Sequence, residues 1–258
     1  MFLEHMNYLE VEEYLKHSDM IMIPIGSLEN HGKHMPLGTD TMIPTKLASL
    51  VSTKSDIVIA PVIPYGATDD LTGFAGTISL GVNGLISLLT TICDQLYDYG
   101  FRKFIILNGH GGNCKSIDSV GMHLYDKGAL LSCINWWLIA GELNPLWKGG
   151  HGGGEETAAV MAVDPSLIKY EYLSEGENIK NDLSEELPSS SWTSVKFKGA
   201  TISIPRKIKS ITDNGWLAHG MGNDAPTRAN KEWGTEMLET VATYVVDFTK
   251  AFEKVKLS

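Results

Sequence analysis

The feature that most constrains this chain is an alternation of short apolar runs with amphipathic stretches. Each apolar run has the length of a buried strand, and the neighbouring stretches space their apolar residues as a helix does. The predicted strands cover residues 20–26, 56–61, 102–107 and 129–136, and the predicted helices cover 8–17, 41–51, 82–99, 113–127 and 231–254. Strands that alternate with helices form parallel βαβ units, so we predict an α/β protein.

Composition and charge narrow the class of protein. The 258 residues are 43% hydrophobic and 20% charged, which predicts a globular protein, taken as a single domain over residues 1–258. A net charge of −10 argues against a nucleic-acid partner, because phosphate binding needs a basic face. The sequence shows no secretory leader and no apolar run of the ~18–20 residues that a membrane span needs. We therefore expect a cytoplasmic protein with no membrane partner.

A loop over residues 26–40 brings one imidazole and two carboxylates together. Glu29 and His31 are two residues apart, so in an extended segment their side chains face the same side. Gly32 and Gly38 allow the loop to fold back, which returns Asp40 toward them. Nitrogen and oxygen donors of this kind suit Zn²⁺ or Mn²⁺.

Two further glycine-rich loops also offer an imidazole, and the second of them adds carboxylates. Residues 108–113 follow a predicted strand and contain His110, while residues 151–157 combine His151 with Glu155 and Glu156 at a predicted helix start. One histidine alone is more often a hydrogen-bonding loop residue, and Glu155 alone fits a carboxylate that complements a helix dipole. A phosphate-binding loop is disfavoured because neither GxxxxGK[ST] nor GxGxxG is present. The three loops together predict a metal site.

Four features carry smaller predictions. Gly100 is expected to end the helix before it, and Asn113 is expected to cap the helix that follows it. The three cysteines predict free thiols rather than disulfides, and Cys114 fits a helix start better than a nucleophile. The polar stretch over residues 170–205 predicts a surface insertion or a hairpin.

The histidine loops carry a family resemblance. The run ENHGKHMPLGTD over residues 29–40 closely resembles the signature E-x-H-G-x-H-L-P-x-x-T-D of the creatininase (creatinine amidohydrolase) family. Residues 108–113, NGHGGN, look like that family's N-G-H-G-G-N loop, and residues 151–157, HGGGEET, resemble its H-x-G-x-x-E-T segment. Residues 213–234 are similar to its G-x-P-x-x-A-x-x-x-x-G region.

This resemblance implies both a fold and a site. The fold is a three-layer α/β/α sandwich with a mostly parallel central sheet, and the site holds two divalent metal ions, Zn and/or Mn. The implied metal ligands are Glu29, His31, Asp40, His110 and Glu156, with Asp40 bridging the two ions. The other implied roles are loop orientation for His34, proton transfer for His151 and substrate packing for Trp137 and Trp147. Core packing is the alternative for both tryptophans.

The implied activity is hydrolysis of a C–N amide bond in a small molecule, with the cyclic amide of creatinine as one candidate. Gly111 and Gly112 stand where creatininase itself carries a Tyr-Glu pair whose glutamate binds metal, so Glu156 is the substitute ligand and creatinine is in doubt. A formamide or peptide amidohydrolase is a second hypothesis, and a non-catalytic metal-binding protein is a third. The resemblance also implies a homo-oligomer, a hexamer.

Overall fold

The main sheet has four parallel strands, as the alternation predicts. A computed structural model describes residues 1–173, 181–216 and 225–257. The strands are β1 (Met20–Ile25), β2 (Val58–Ile59), β3 (Lys103–Asn108) and β4 (Leu130–Asn135), in the order β2-β1-β3-β4. The register pairs Ile23 of β1 with Ile106 of β3, and Ile106 with Cys133 of β4. Because all four strands run the same way, their carboxyl ends share one edge of the sheet.

Both faces of this sheet are covered. Along β1, Met20 and Met22 point into one hydrophobic cluster, while Ile21, Ile23 and Ile25 point into another. Successive side chains alternate between faces, so a strand buried on both sides reads as the unbroken apolar run seen in the sequence. This burial explains why the strands lack the polar alternation of a one-sided sheet.

Seven α-helices flank the main sheet within the described ranges. They are α1 (Tyr8–Leu15), α2 (Thr39–Ser52), α3 (Gly81–Tyr99), α4 (Cys114–Asp126), α5 (Trp136–Leu143), α6 (Gly154–Val163) and α7 (Lys231–Glu253). Helices α2, α5, α6 and α7 pack on one face of the main sheet, and α1, α3 and α4 pack on the other. The predicted three-layer α/β/α sandwich is confirmed. No helix of the described part is both long and apolar enough to cross a membrane.

Several element boundaries differ from the prediction. The fourth strand stops at Asn135 and α5 begins at Trp136, inside the segment predicted to be strand and loop. Gly100 does end α3, with a φ of 124°. Asn113 precedes α4 but its side chain makes no capping bond. Its amide instead accepts from the backbone N–H of Ala67 and donates to the carbonyl of Gly26, so it joins two loops rather than capping a helix.

A second, antiparallel sheet occupies the polar stretch that was predicted to be an insertion or a hairpin. Its strands are β5 (Ser189–Ser191), β6 (Ser194–Phe197) and β7 (Ala200–Ser203), in that order. The two-residue turn between β6 and β7 has positive φ at Lys198 (47°) and Gly199 (84°), the geometry of a type I′ hairpin. Residues 174–180 of this stretch, and 217–224 of the C-terminal motif, lie outside the described residues.

Candidate metal centre

The predicted ligands meet at the carboxyl edge of the main sheet, where α/β proteins place their sites. Glu29 and His31 lie in the loop after β1, and Asp40 lies in the first turn of α2. His110 follows β3, and Glu156 lies in the first turn of α6. Four separate segments therefore converge on one point, although they span more than a hundred residues of sequence.

The ligand atoms form two groups that share one carboxylate. Glu29, Asp40 and His110 form one of these groups, and His31, Asp40 and Glu156 form the other, with the ligand atoms of each within 4.8 Å of one another. Glu29, His31 and His151 form a third group of donor atoms at the same spacing, which does not include Asp40. Asp40 Oδ1 lies 2.9 Å from His31 Nε2, and Asp40 Oδ2 lies 3.1 Å from His110 Nδ1. One carboxylate with an oxygen in each of the first two groups is the arrangement that a bridging ligand between two ions requires.

Three of these atoms lack the hydrogen bonds that buried polar atoms normally have. Within the described residues, Glu29 Oε1, His31 Nε2 and Asp40 Oδ2 are fully buried and make no hydrogen bond of regular geometry; their short polar contacts, of 2.9–3.2 Å, are to other members of the same ligand groups. Burying a polar atom without a partner costs free energy, so each such atom calls for an explanation. Divalent cations that take nitrogen and oxygen donors satisfy all three, and the residues therefore fit a metal centre.

Contacts outside the centre fix the orientation of the two imidazoles. His31 Nδ1 lies 3.2 Å from the carbonyl oxygen of Glu29, and His110 Nε2 lies 3.1 Å from that of Ala67. A carbonyl only accepts, so these two nitrogens carry the hydrogens. His31 Nε2 and His110 Nδ1 then face Asp40. In each ring, the nitrogen that could bind a metal ion is therefore the one directed at the centre.

The carboxylates are held in the same way. The Ser27 hydroxyl donates to Glu29 Oε2 at 2.8 Å, which leaves Oε1 directed at the centre. The backbone N–H of Gly152 donates to Glu156 Oε2 at 2.7 Å. Burial raises the pKa of Glu156 to about 7, against the pull of the neighbouring His31. A cation at the centre would favour the charged form of this carboxyl group.

Without a metal ion, the two ligand imidazoles of the centre are protonated. Burial disfavours the charged form of His31, but the Asp40 and Glu156 carboxylates outweigh it and raise its pKa to about 10. His110 responds alike: burial opposes its charge, while Glu29 and Asp40 raise its pKa well above the usual value. Burial acts against the Asp40 carboxylate too, but the two imidazoles lower its pKa. The buried carboxylates of this centre are therefore stable as anions only beside a positive charge, which protonated imidazoles supply when no metal ion is bound.

His151 lies beside the ligands but in a different electrostatic state. Its ring stacks on that of His31 at a centroid distance of 4.2 Å, and its Nε2 lies 2.7 Å from the carbonyl oxygen of Asn30. The carbonyl fixes the hydrogen on Nε2, so Nδ1 keeps a free electron pair, 3.7 Å from Glu29 Oε1. Burial and the charge on His31 lower the pKa of His151 to about 3. In the metal-free centre this imidazole is therefore uncharged at neutral pH.

His34 links the first loop to helix α6. Its Nε2 lies 3.2 Å from the Thr157 hydroxyl, which itself donates to the carbonyl of Gly153 at 2.7 Å. The ring therefore donates to Thr157, next to Glu156, and burial lowers its pKa to about 4. This position fits the predicted orienting role, because His34 ties the segment of His31 to the segment of Glu156.

The tryptophans divide between the cavity and the core. A cavity of about 410 Å³ opens onto the centre, and Trp137 lines it. Trp147 is only 7% exposed and packs in the core cluster beneath α5 and α7, which was its alternative role. Asp70 and Trp192 also line the cavity and were not singled out in the sequence. The only signal for Trp192 is a large aromatic residue within a serine-rich polar stretch.

The second loop explains why Glu156 is the carboxylate of the second group. A Cβ at Gly112 would collide with the carbonyl oxygen of Ala67 and the ring of His110. The loop therefore has no room for the glutamate that creatininase carries at this position. Cys114 begins α4, as predicted, and its Sγ lies 3.5 Å from Asn135 Oδ1.

The α/β/α sandwich carries two carboxylate–imidazole groups at the carboxyl edge of its parallel sheet. These two features together place the protein in the class of metal-binding α/β proteins. The sequence profile of the creatininase family, described as creatinine amidohydrolase, matches residues 4–249. The chain therefore belongs to the creatininase family, and the predicted family is confirmed.

Relatives with different names share this family. The 3-dehydro-scyllo-inosose hydrolase of Thermotoga maritima is 30% identical over 185 residues, 67% of this chain and 59% of that protein. The mycofactocin precursor peptide peptidase of Mycobacterium ulcerans is 33% identical over 180 residues, 66% of this chain and 67% of that protein. The chain thus spans roughly three fifths to two thirds of these relatives' lengths. A manganese creatininase structure shares the fold, with a TM-score of 0.76 at 22% identity over 98% of this chain and 99% of that one.

Proposed function

We propose that this protein is a metal-dependent amidohydrolase that holds two divalent ions, Zn and/or Mn, and cleaves a C–N amide bond. The observation that carries the proposal is the sharing of Asp40 between two ligand groups whose remaining members supply one imidazole and one carboxylate each. In this proposal Glu29 and His110 hold one ion with Asp40, and His31 and Glu156 hold the other. The proposal treats residues 1–258 as one catalytic domain.

Two ions held by these five residues would supply Lewis-acid chemistry: they would polarise the amide carbonyl and lower the pKa of a water molecule toward neutrality. The chain supplies the rest. Ser27 and Gly152 hold the Glu29 and Glu156 carboxylates in place, so the ligands need little rearrangement. The half-buried Trp137 forms part of the wall and limits the access of bulk water.

His151 is proposed to move the proton. Its Nδ1 is the free nitrogen of the ring, and it faces the same Glu29 carboxylate that belongs to the centre. An imidazole that starts neutral takes the proton from the attacking water and then gives it to the leaving nitrogen, which balances the hydrolysis. The bond from Nε2 to Asn30 keeps the ring in that orientation while the proton moves.

The proposed substrate is a small-molecule amide, and creatinine is the first compound to test. A cavity of about 410 Å³ is near the lower end of the ~300–1,000 Å³ typical of small-molecule sites, which favours a compact amide over a peptide. A formamide and a short peptide belong in the same screen, since a peptidase is among the relatives. The family resemblance further supports a homohexamer in the cytoplasm as the working form.

The deciding experiment measures metal content and hydrolysis in the same preparations. Wild type and Asp40→Ala are purified without added metal, analysed for Zn and Mn, and assayed with the amide panel. We expect about two equivalents per chain in wild type, loss of most metal in Asp40→Ala, and hydrolysis of at least one amide by wild type only. Wild-type protein that binds no metal even after reconstitution would rule out the proposal.

A further inference from the structure

The tip of the hairpin between β5 and β6 carries a tryptophan. Trp192 and Thr193 connect the two strands, a position where small polar residues are usual. The indole does not project into solvent: it is half-buried and lines the cavity over the proposed metal centre. A bulky side chain at a turn, directed into a site, indicates that the hairpin belongs to that site.

Trp192 completes the packing around His151. The two ring centroids are 4.6 Å apart at an interplanar angle of 79°, so the contact is edge to face. His31 stacks on the same imidazole, and the carbonyl of Asn30 fixes its Nε2. His31, Asn30 and the nearby Glu29 all belong to the first metal-binding loop, so among these neighbours of the His151 ring Trp192 is the one from outside the segments that carry the proposed ligands.

The hairpin tip is anchored firmly enough to hold a ring in place. Trp192 packs against the cluster of Leu71, Ile208 and Ile211, all fully buried. The carbonyl of Thr193 accepts from the backbone N–H of Ile204 at 2.6 Å. Contacts on both the side chain and the backbone leave the indole little freedom, which is what a positioning residue requires.

Trp192 also faces the space where a substrate would lie. It lines the cavity together with Trp137 and Asp70, so two aromatic surfaces and a carboxylate surround the approach to the centre. Aromatic walls offer a large apolar area with few rotatable bonds, and they bind the non-reacting part of a compact ligand.

We propose that Trp192 is a positioning residue for His151 and a specificity-determining wall of the cavity. The proposal rests on the proposed function, because it concerns the same site. It gives the antiparallel sheet a role in catalysis: the sheet presents Trp192, which aligns the imidazole that moves the proton. A misaligned proton carrier costs turnover even when every proposed metal ligand is intact.

Kinetics of four zinc-loaded proteins test this assignment: wild type, Trp192→Ala, Trp192→Phe and Phe197→Ala. The last variant is the matched control, because it removes a 38% exposed aromatic from the same sheet. With an amide that wild type hydrolyses, we expect Trp192→Ala to lower kcat about 10²-fold and to raise KM, with unchanged metal content. Trp192→Phe keeps a ring edge and should stay within about tenfold of wild type, while Phe197→Ala should match wild type.

Three results would overturn the assignment: a kcat for Trp192→Ala within about twofold of wild type, an equal loss in Phe197→Ala, or loss of metal from Trp192→Ala. If wild type hydrolyses no amide, the proposed function fails, and a second measurement still tests the contact. Tryptophan emission is followed while Zn²⁺ is added. We expect a change in wild type and in Trp147→Phe that is clearly smaller in Trp192→Phe, where Trp137 still lines the cavity; an undiminished change in Trp192→Phe would overturn the contact.

Discussion

The two edges of the main sheet carry the same kinds of residue in opposite surroundings. At the amino edge, a cavity of about 1070 Å³ is lined by His17 and Glu13, whose side chains are 74% and 61% exposed and lie 3.4 Å apart. At the carboxyl edge, a cavity of about 410 Å³ is lined by Asp40, and the side chains of Asp40 and His31 are 2% and 0% exposed and lie 2.9 Å apart. The proposed metal centre therefore lies at the smaller of these two cavities.

Burial makes the difference between the two pairs. Water screens the charges of the His17–Glu13 pair and hydrogen-bonds to both side chains, so the pair contributes little to the stability of the fold. The His31–Asp40 pair is almost wholly shielded from bulk water, and the pKa of His31 rises to about 10 while buried polar atoms of the pair make no regular hydrogen bond. Unsatisfied, strongly coupled groups mark a functional site better than the size of a cavity does.

Replacing the neutral imidazole of the carboxyl edge should have the largest effect. His151→Ala removes the proposed proton carrier but none of the five proposed metal ligands, so we expect turnover to fall about 10²–10⁴-fold with metal content unchanged. Steady-state kinetics beside elemental analysis measure both quantities. His17→Ala is the matched control and should keep full turnover. A His151→Ala protein with wild-type turnover would remove His151 from the mechanism.

Metal binding should displace protons from the carboxyl edge alone. The folded-state pKa of His31 is raised to about 10, so its proton stabilises the metal-free fold fully below about pH 6.5, and this stabilisation is lost as the pH rises through about 10. His110 behaves alike. Metal ligands must be deprotonated, so Zn²⁺ uptake near neutral pH should release about two protons per chain.

Calorimetry in buffers of different ionisation enthalpy measures this release. The apparent affinity for Zn²⁺ should therefore weaken as the pH falls. His17→Ala should release the same number of protons as wild type. Uptake of zinc without proton release would mean that His31 and His110 are neutral before metal arrives, which would contradict the electrostatics of the buried groups.

The smallest effect is expected at the amino edge. Hydrogen bonds from Lys16 and then His17 lower the pKa of Glu13, so any stabilisation exists above its unfolded-state pKa and is lost as the pH falls through the lowered value. Solvent screens this exposed group, so Glu13→Gln should shift Tm by less than about 2 °C at neutral pH. Thermal unfolding measures the shift. A large loss of stability would show that the exposed pair is not screened.

The sequence predicts the architecture well because burial on both faces leaves a direct trace. The runs at β1 and β3 contain no interior polar residue that could face water, so only a covered parallel sheet accommodates them. The loop glycines and the spacing of Glu29 and His31 are equally local signals. The α5 boundary was missed because Trp136 suits a strand as well as a helix, and only packing decides.

What the sequence determined by itself is the set of segments and donor types: a loop after β1 that holds imidazole and carboxylates, a loop after β3 that holds an imidazole, and a segment at the start of α6 that holds both. The tertiary structure alone decided which atoms meet. Asp40 is shared between two ligand groups, Asn113 joins loops instead of capping a helix, and Trp192 rather than Trp147 faces the cavity. Contacts between segments far apart in the chain depend on packing, which local sequence patterns do not encode.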